Sequence, residues 1–104
     1  MYNIIKENFK KYPDKRAIVY EEQSISYKEL SELIEQAAIL LKNNGVIRNN
    51  RVGIYVKNPI EYIVYFLAVN KIGAIIVPID SRITLDEVER ILSLVDVNFL
   101  WLYL

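Results

Sequence analysis

From residue 26 onward the chain switches repeatedly between two hydrophobic patterns. "SYKELSELIEQAAILLKNNG" places Leu30, Leu33, Ile34, Ala37, Ala38 and Leu41 on one helical face. Ser26 followed by Glu29 reads as a capping box, in which each side chain satisfies the other residue's free N–H. Gly45 closes this helix, because glycine tolerates a left-handed conformation at a helix end. "RVGIYV", 51–56, is a short β-prone run. Asn58 then caps a second helix, with Pro59 at its first position and Glu61 at its third, which predicts another box. That helix, 59–72, is apolar on nearly every side through Ile60, Ile63, Val64, Phe66, Leu67, Val69 and Ile72. So little polar surface predicts cover on several faces. Gly73 ends it.

"AIIVPI", 74–79, is the next strand. Thr84 and Glu87 predict a third box, opening a helix to about Val95 with Leu85, Val88, Ile91, Leu92 and Val95 inward. "NFLWLYL", 98–104, is a final apolar strand with no obvious outer face. Upstream, Tyr2, Ile5 and Phe9 mark a short amphipathic helix over 2–11 that Pro13 stops. "AIVYEEQSISY", 17–27, reads as two short strands about a polar turn at Glu21–Gln23.

The order from residue 27 is thus α, β, α, β, α, β, with strands apolar throughout. This predicts an α/β fold of three layers: a mostly parallel sheet with helices on both faces, preceded by a short helix and a hairpin. Crossovers of one hand follow from sheet twist. Pro78 has no N–H for a ladder, so it belongs at the strand's carboxyl end, where pairing stops. Asp80 then lies just past the strand tip, the edge where open α/β sheets bind ligands. The plainer expectation is that Asp80 and Ser81 bond the local backbone and shape the loop before Thr84.

Composition removes several chemistries. The 104 residues suit one domain, spanning 1–104. There are no cysteines and no histidines, which rules out disulfides, thiol nucleophiles and serine–histidine arrangements within these residues. Thirteen basic and thirteen acidic residues balance, with no like-charge run, so no nucleic-acid partner is expected. The longest apolar stretch, "YIVYFLAV" at 62–69, falls short of the roughly 20 residues a membrane span needs. No secretory signal core is present, and a cytoplasmic location is expected.

Two stretches together carry a resemblance. "ISYKEL" at 25–30 and "NKIGAIIVPID" at 70–80 look like the first two core motifs of the adenylate-forming (AMP-binding) enzymes. That superfamily holds acyl-CoA synthetases, peptide-synthetase adenylation domains and luciferases. "YPDKRAIVY" and "GVIRNNRVGIYVKNPIEYIVYFLAVNKIG" fit between and around them. The resemblance implies a two-step reaction. A carboxylate attacks the α-phosphate of ATP, giving an acyl-adenylate and pyrophosphate, and a thiol of CoA or a carrier protein then takes the acyl group. It implies ATP and magnesium for the full-length enzyme, and neither for these residues alone.

The motif residues read as architecture. Ser26, Tyr27, Glu29 and Leu30 form a helix cap and its packing; Lys71, Gly73, Pro78 and Asp80 form a helix end and a strand exit. No residue matches a catalytic position of the family. The three glycines, at 45, 53 and 73, are too far apart to cradle a phosphate. The expected partner is the remainder of a ligase domain, because the last strand and the apolar helix need covering. Made alone, such a chain should be marginally stable or self-associate. The run "VPIDSRITLDEVERIL" lacks the proline-rich stretch of peptide synthetases, which favours the acyl-CoA ligases. The alternatives are a peptide-synthetase adenylation domain and a small non-catalytic α/β interaction module. A free-standing nucleotide-binding protein fits the element order but lacks a glycine-rich first turn.

Overall fold

Ser26 ends one strand and caps the helix that follows, so a two-stranded hairpin feeds directly into the first long helix. The computed structural model describes residues 1–103. Its elements run α1 (Tyr2–Lys11), β1 (Arg16–Tyr20), β2 (Gln23–Ser26), α2 (Tyr27–Asn43), β3 (Arg51–Val56), α3 (Pro59–Ile72), β4 (Ile75–Pro78), α4 (Leu85–Leu94) and β5 (Phe99–Tyr103). Leu104, the last position of the expected final strand, lies outside the described residues. The α/β alternation and the preceding helix and hairpin are as the hydrophobic pattern predicts.

β1 and β2 pair antiparallel in a sheet of their own. The turn is narrower than expected, because Gln23 already belongs to β2. Glu21 takes the positive φ, +54°, that the tight reversal requires. The other three strands form a parallel sheet in the order β4-β3-β5. β3 sits in the middle, with Gly53 opposite both Val77 and Leu100. Five of its six residues are buried, which explains a run without alternation.

The chain leaves β3 for β4 on one side and crosses back past β3 to β5 on the other. Connections of one hand running in opposite directions put their helices on opposite faces. Val52, Ile54 and Val56 accordingly point into the larger core, with Ile34, Leu41, Leu67 and Val69 of α2 and α3. Tyr55 points the other way, into a smaller cluster with Ile79, Val88, Leu92 and Leu100 under α4.

α3 lies on β3 and β4 and is overlaid by α2, α1 and β1. Contact on both sides is why its apolar residues show no preferred stripe; only Ile63 among its large aliphatic side chains is exposed. α2 and α3 end alike. Val46 donates to the Leu41 carbonyl and Gly45 to Lys42; Ala74 donates to Val69 and Gly73 to Asn70. Each glycine sits at positive φ, +97° and +87°, as this termination demands.

Several finer expectations are corrected. Leu33 is not in the core; it borders an open groove beside β2. Leu85 and Val95 face outward, and Val88 is the one buried residue of α4. A stripe predicts the direction of a helix's apolar face, but residues at its margins are covered only if a neighbour reaches them. Neither Asn58–Glu61 nor Thr84–Glu87 forms a box. Both caps accept backbone N–H groups, but among the described residues neither glutamate side chain bonds back. β5 does have an outward position, since Leu102 is 46% exposed.

Candidate functional site

The two motifs meet through the core. The Ser26 hydroxyl accepts from the Glu29 N–H at 3.1 Å, and the Glu29 carboxylate accepts from the Ser26 N–H at 3.2 Å. Tyr27 donates its N–H to the Lys15 carbonyl at 2.9 Å and sets its ring 6.2 Å from that of Phe9. Leu30 is buried in the same cluster as Leu67, Ala68 and Ala74, the last just past Gly73. Lys71 forms an ion pair with Glu35 of α2 and lies over the Tyr2 ring, 5.4 Å from its centre. The hydrogen bond between them lowers the Glu35 pKa and raises that of Lys71. The Tyr2 N–H donates to Asn70 at 2.7 Å, so α1 is tied to the end of α3. At Gly73 a β-carbon would come within 3.2 Å of Arg48 Cγ, in a conformation that already excludes most side chains.

Pro78 is the last residue of β4, opposite Ile54, and the ladder ends one residue later where Ile79 donates to the Ile54 carbonyl. Asp80 stands apart from the other motif residues. Its carboxylate accepts from the Arg82 backbone N–H at 2.9 Å and from the Arg82 guanidinium at 2.7–3.1 Å. The Arg82 side-chain bonds first, then its backbone N–H, bring the Asp80 carboxyl down to about 2. Asp80 thus shapes the loop, as the plainer expectation had it. Ser81 makes no side-chain bond among the described residues, so its share of that expectation is corrected. The loop is pinned from below by Tyr55, whose buried hydroxyl donates to the Ile83 carbonyl at 2.6 Å. Sequence reading missed this anchor. Its signal was a tyrosine inside an apolar strand, which needs a partner for its hydroxyl.

These groups do not fit a magnesium–ATP site. Among the described residues no three histidine, cysteine or acidic side chains are grouped to hold a metal ion. The carboxylate at the sheet's carboxyl edge is neutralised by Arg82, which makes it a poor proton acceptor as well. The chemistry these residues perform is positional: they join α1, α2, α3 and β4 into one block.

An open groove of about 810 Å³ lies between β2, the outer stripe of α2 and the first turns of α3. Leu33 and Leu40, seven residues apart and therefore on one stripe, form an exposed apolar wall. Asn58 and Glu61 stand at its other side. This stripe was the signal for the groove, and Leu40 was the residue that reading a single core face passed over.

Known proteins match this arrangement closely. The family model for the AMP-binding enzyme matches residues 5–102. Tyrocidine synthase 1 of Brevibacillus parabrevis is 35% identical over 93 residues, which are 89% of this chain and 8% of that protein. Bacitracin synthase 3 of Bacillus licheniformis is 32% identical over 89% of this chain and 2% of its own length. The N-terminal subdomain of Klebsiella oxytoca NpsA superposes with a TM-score of 0.87 at 30% identity, covering 96% of this chain and 26% of that one. NpsA is also known as part of an artificially fused adenylation–PCP di-domain NRPS. The N-terminal domain of FACL13 from Mycobacterium tuberculosis superposes at 0.84 with 25% identity, over 95% of this chain and 25% of that one. This chain therefore spans a small part of the length of the proteins it matches. No helix of the described residues is long and apolar enough to cross a membrane.

The tyrocidine and bacitracin synthases fit the peptide-synthetase alternative better than the preferred acyl-CoA ligase reading. That preference rested on one segment after β4, mostly an exposed loop and helix, where sequence drifts readily. The likeness to the synthetases runs through nearly every element. Two motifs in order, a parallel β4-β3-β5 sheet between helices, and matches over almost the whole chain make this chain a member of the AMP-binding enzyme family.

Proposed function

We propose that residues 1–104 are the opening part of an adenylation domain of the peptide-synthetase kind, acting in the cytoplasm. In the complete domain a carboxylate oxygen attacks the α-phosphate of ATP and pyrophosphate leaves. The acyl group then passes to a carrier-protein thiol and AMP leaves. Magnesium would neutralise phosphate charge in that reaction. The eight motif residues hold the scaffold on which the reacting groups are mounted, and touch no substrate themselves. One observation carries this reading: a match to a peptide synthetase, 35% identical, that extends over 89% of the chain.

ATP–pyrophosphate exchange tests it. The 104-residue protein alone should give only background exchange. A chimera in which it replaces the matching region of NpsA should exchange pyrophosphate in the presence of that enzyme's acid. Exchange by the short chain alone, or a folded chimera without exchange, would overturn the reading.

A further inference from the structure

We propose that α1 is a strap that opens and closes as a unit on the rest of the molecule, helical only while docked, with Asn70 as its clasp. The device is independent of the adenylation reading.

α1 has little support of its own. Its sequence, YNIIKENFKK, holds two asparagines, two isoleucines and two aromatic residues, with no alanine or leucine. At ten residues it is shorter than a helix that persists alone in water. Met1, at the N-cap, supplies no side-chain acceptor. The acceptor comes from α3 instead: Asn70 Oδ1 takes the Tyr2 N–H at 2.7 Å, across 68 positions of sequence. A cap lent by another element exists only while the two are docked. The last turn is better supplied. Lys10 and Lys11 suit the negative end of the helix, and Lys11 pairs with Glu7 at 3.9 Å.

The docking is shallow. No residue of α1 is buried, and Tyr2, Ile5 and Phe9 lie only half-buried against the core. Among the described elements α1 packs on α2 and α3 alone. Lys71 lies over the Tyr2 ring but is also paired with Glu35 of α2. That pair keeps α2 and α3 joined when α1 leaves. The pivot is Tyr12, whose φ of −133° and ψ of 53° break the helix, with Pro13 behind it. Beyond the pivot the chain is fixed. The Pro13 carbonyl accepts from the Lys28 N–H at 3.0 Å, and the Lys15 carbonyl from the Tyr27 N–H at 2.9 Å. These bonds hold the root of the strap on the first turn of α2 while α1 swings. Few buried contacts and one borrowed cap mark a segment that opens before the molecule unfolds. Opening bares the apolar side of α1 and the faces of α2 and α3 beneath it.

Amide hydrogen exchange of the ¹⁵N-labelled full chain tests this, with Leu102→Lys on the sheet edge to limit edge pairing. The amides of Lys6 to Lys11 should exchange at least tenfold faster, relative to their free-peptide rates, than the slowest amides of α3. Their rates should also respond less to low urea, because a local opening exposes little surface. Asn70→Ala should speed α1 exchange about fivefold, the effect of losing one cap, and leave Val64 and Leu67 unchanged. Asn70→Asp keeps an acceptor for the Tyr2 N–H and should leave α1 as protected as asparagine does. Ile5→Ala, on the docked side and away from the clasp, should speed α1 exchange as well. α1 amides that share the rate and urea response of α3 would overturn the proposal, since the helix would then open only with the whole molecule. So would an Asn70→Ala chain that loosens α1 and α3 alike or fails to fold, which would make Asn70 a support of the core. An Asn70→Asp chain as loose as Asn70→Ala would remove the clasp, and an Ile5→Ala chain without effect would remove the docked face.

Discussion

Ser26 closes the first turn of α2 by taking up the Glu29 N–H, and Glu29 returns the bond. Removing the hydroxyl leaves an orphan donor at a helix start. Ser26→Ala should cost about 1 kcal/mol, read as a lower urea midpoint with unchanged slope. Asp80 makes a second residue-scale case. Its pKa, about 2 when folded, lies below the ordinary aspartate value of about 3.9. A depressed carboxylate stabilises the fold fully above the unfolded pKa and loses that contribution as pH falls through the folded one. The stability gap between the native chain and Asp80→Asn should therefore shrink between pH 4 and pH 2. A gap that stays constant over that range would dismiss the Asp80–Arg82 link. Caps and glycine stops were legible in the sequence because their partners lie within a few residues. The Lys71–Glu35 pair was not, since 36 residues separate its members and only the packing of α3 on α2 joins them.

At the scale of elements, α3 is held on two sides and α4 on one. Leu67 is 4% exposed between the sheet and α2, whereas Leu85 is 52% exposed at the start of α4. Leu67→Ala should cost roughly 2–5 kcal/mol, because it removes buried methyl groups and leaves a cavity. Leu85→Ala should stay within about 0.5 kcal/mol, as for an ordinary surface change. Equal losses by denaturant titration would mean that α4 is more deeply seated than described. The element order could be read from period alone, since strands buried on both faces and helices with a stripe look different as strings. What could not be read was how far each stripe is covered. That depends on which neighbour lies opposite: Leu33 loses cover because β2 stands off from α2 across the groove.

The whole molecule is a block with unpaired margins. The outer sides of β4 and β5 have no strand beside them among the described residues, and Ile75 and Leu102 expose apolar surface there. Such edges are templates for further pairing. They follow from a sheet in which one connection runs from the central strand to one edge and the next crosses back over it to the other. The family could be read from two short motifs because each marks a junction, one between strand and helix and the other between helix and strand, where few residues will serve. The branch could not, because the segment after β4 carries too few constrained positions.

The central claim is that β3 stands between two strands running in its own direction. The most direct check is a map of backbone nuclear Overhauser contacts on the Leu102→Lys chain. The account predicts parallel contacts from Val52 to both Ile76 and Phe99, and from Ile54 to both Pro78 and Trp101. Antiparallel cross-peaks on either side of β3, or β4 paired directly with β5, would contradict it.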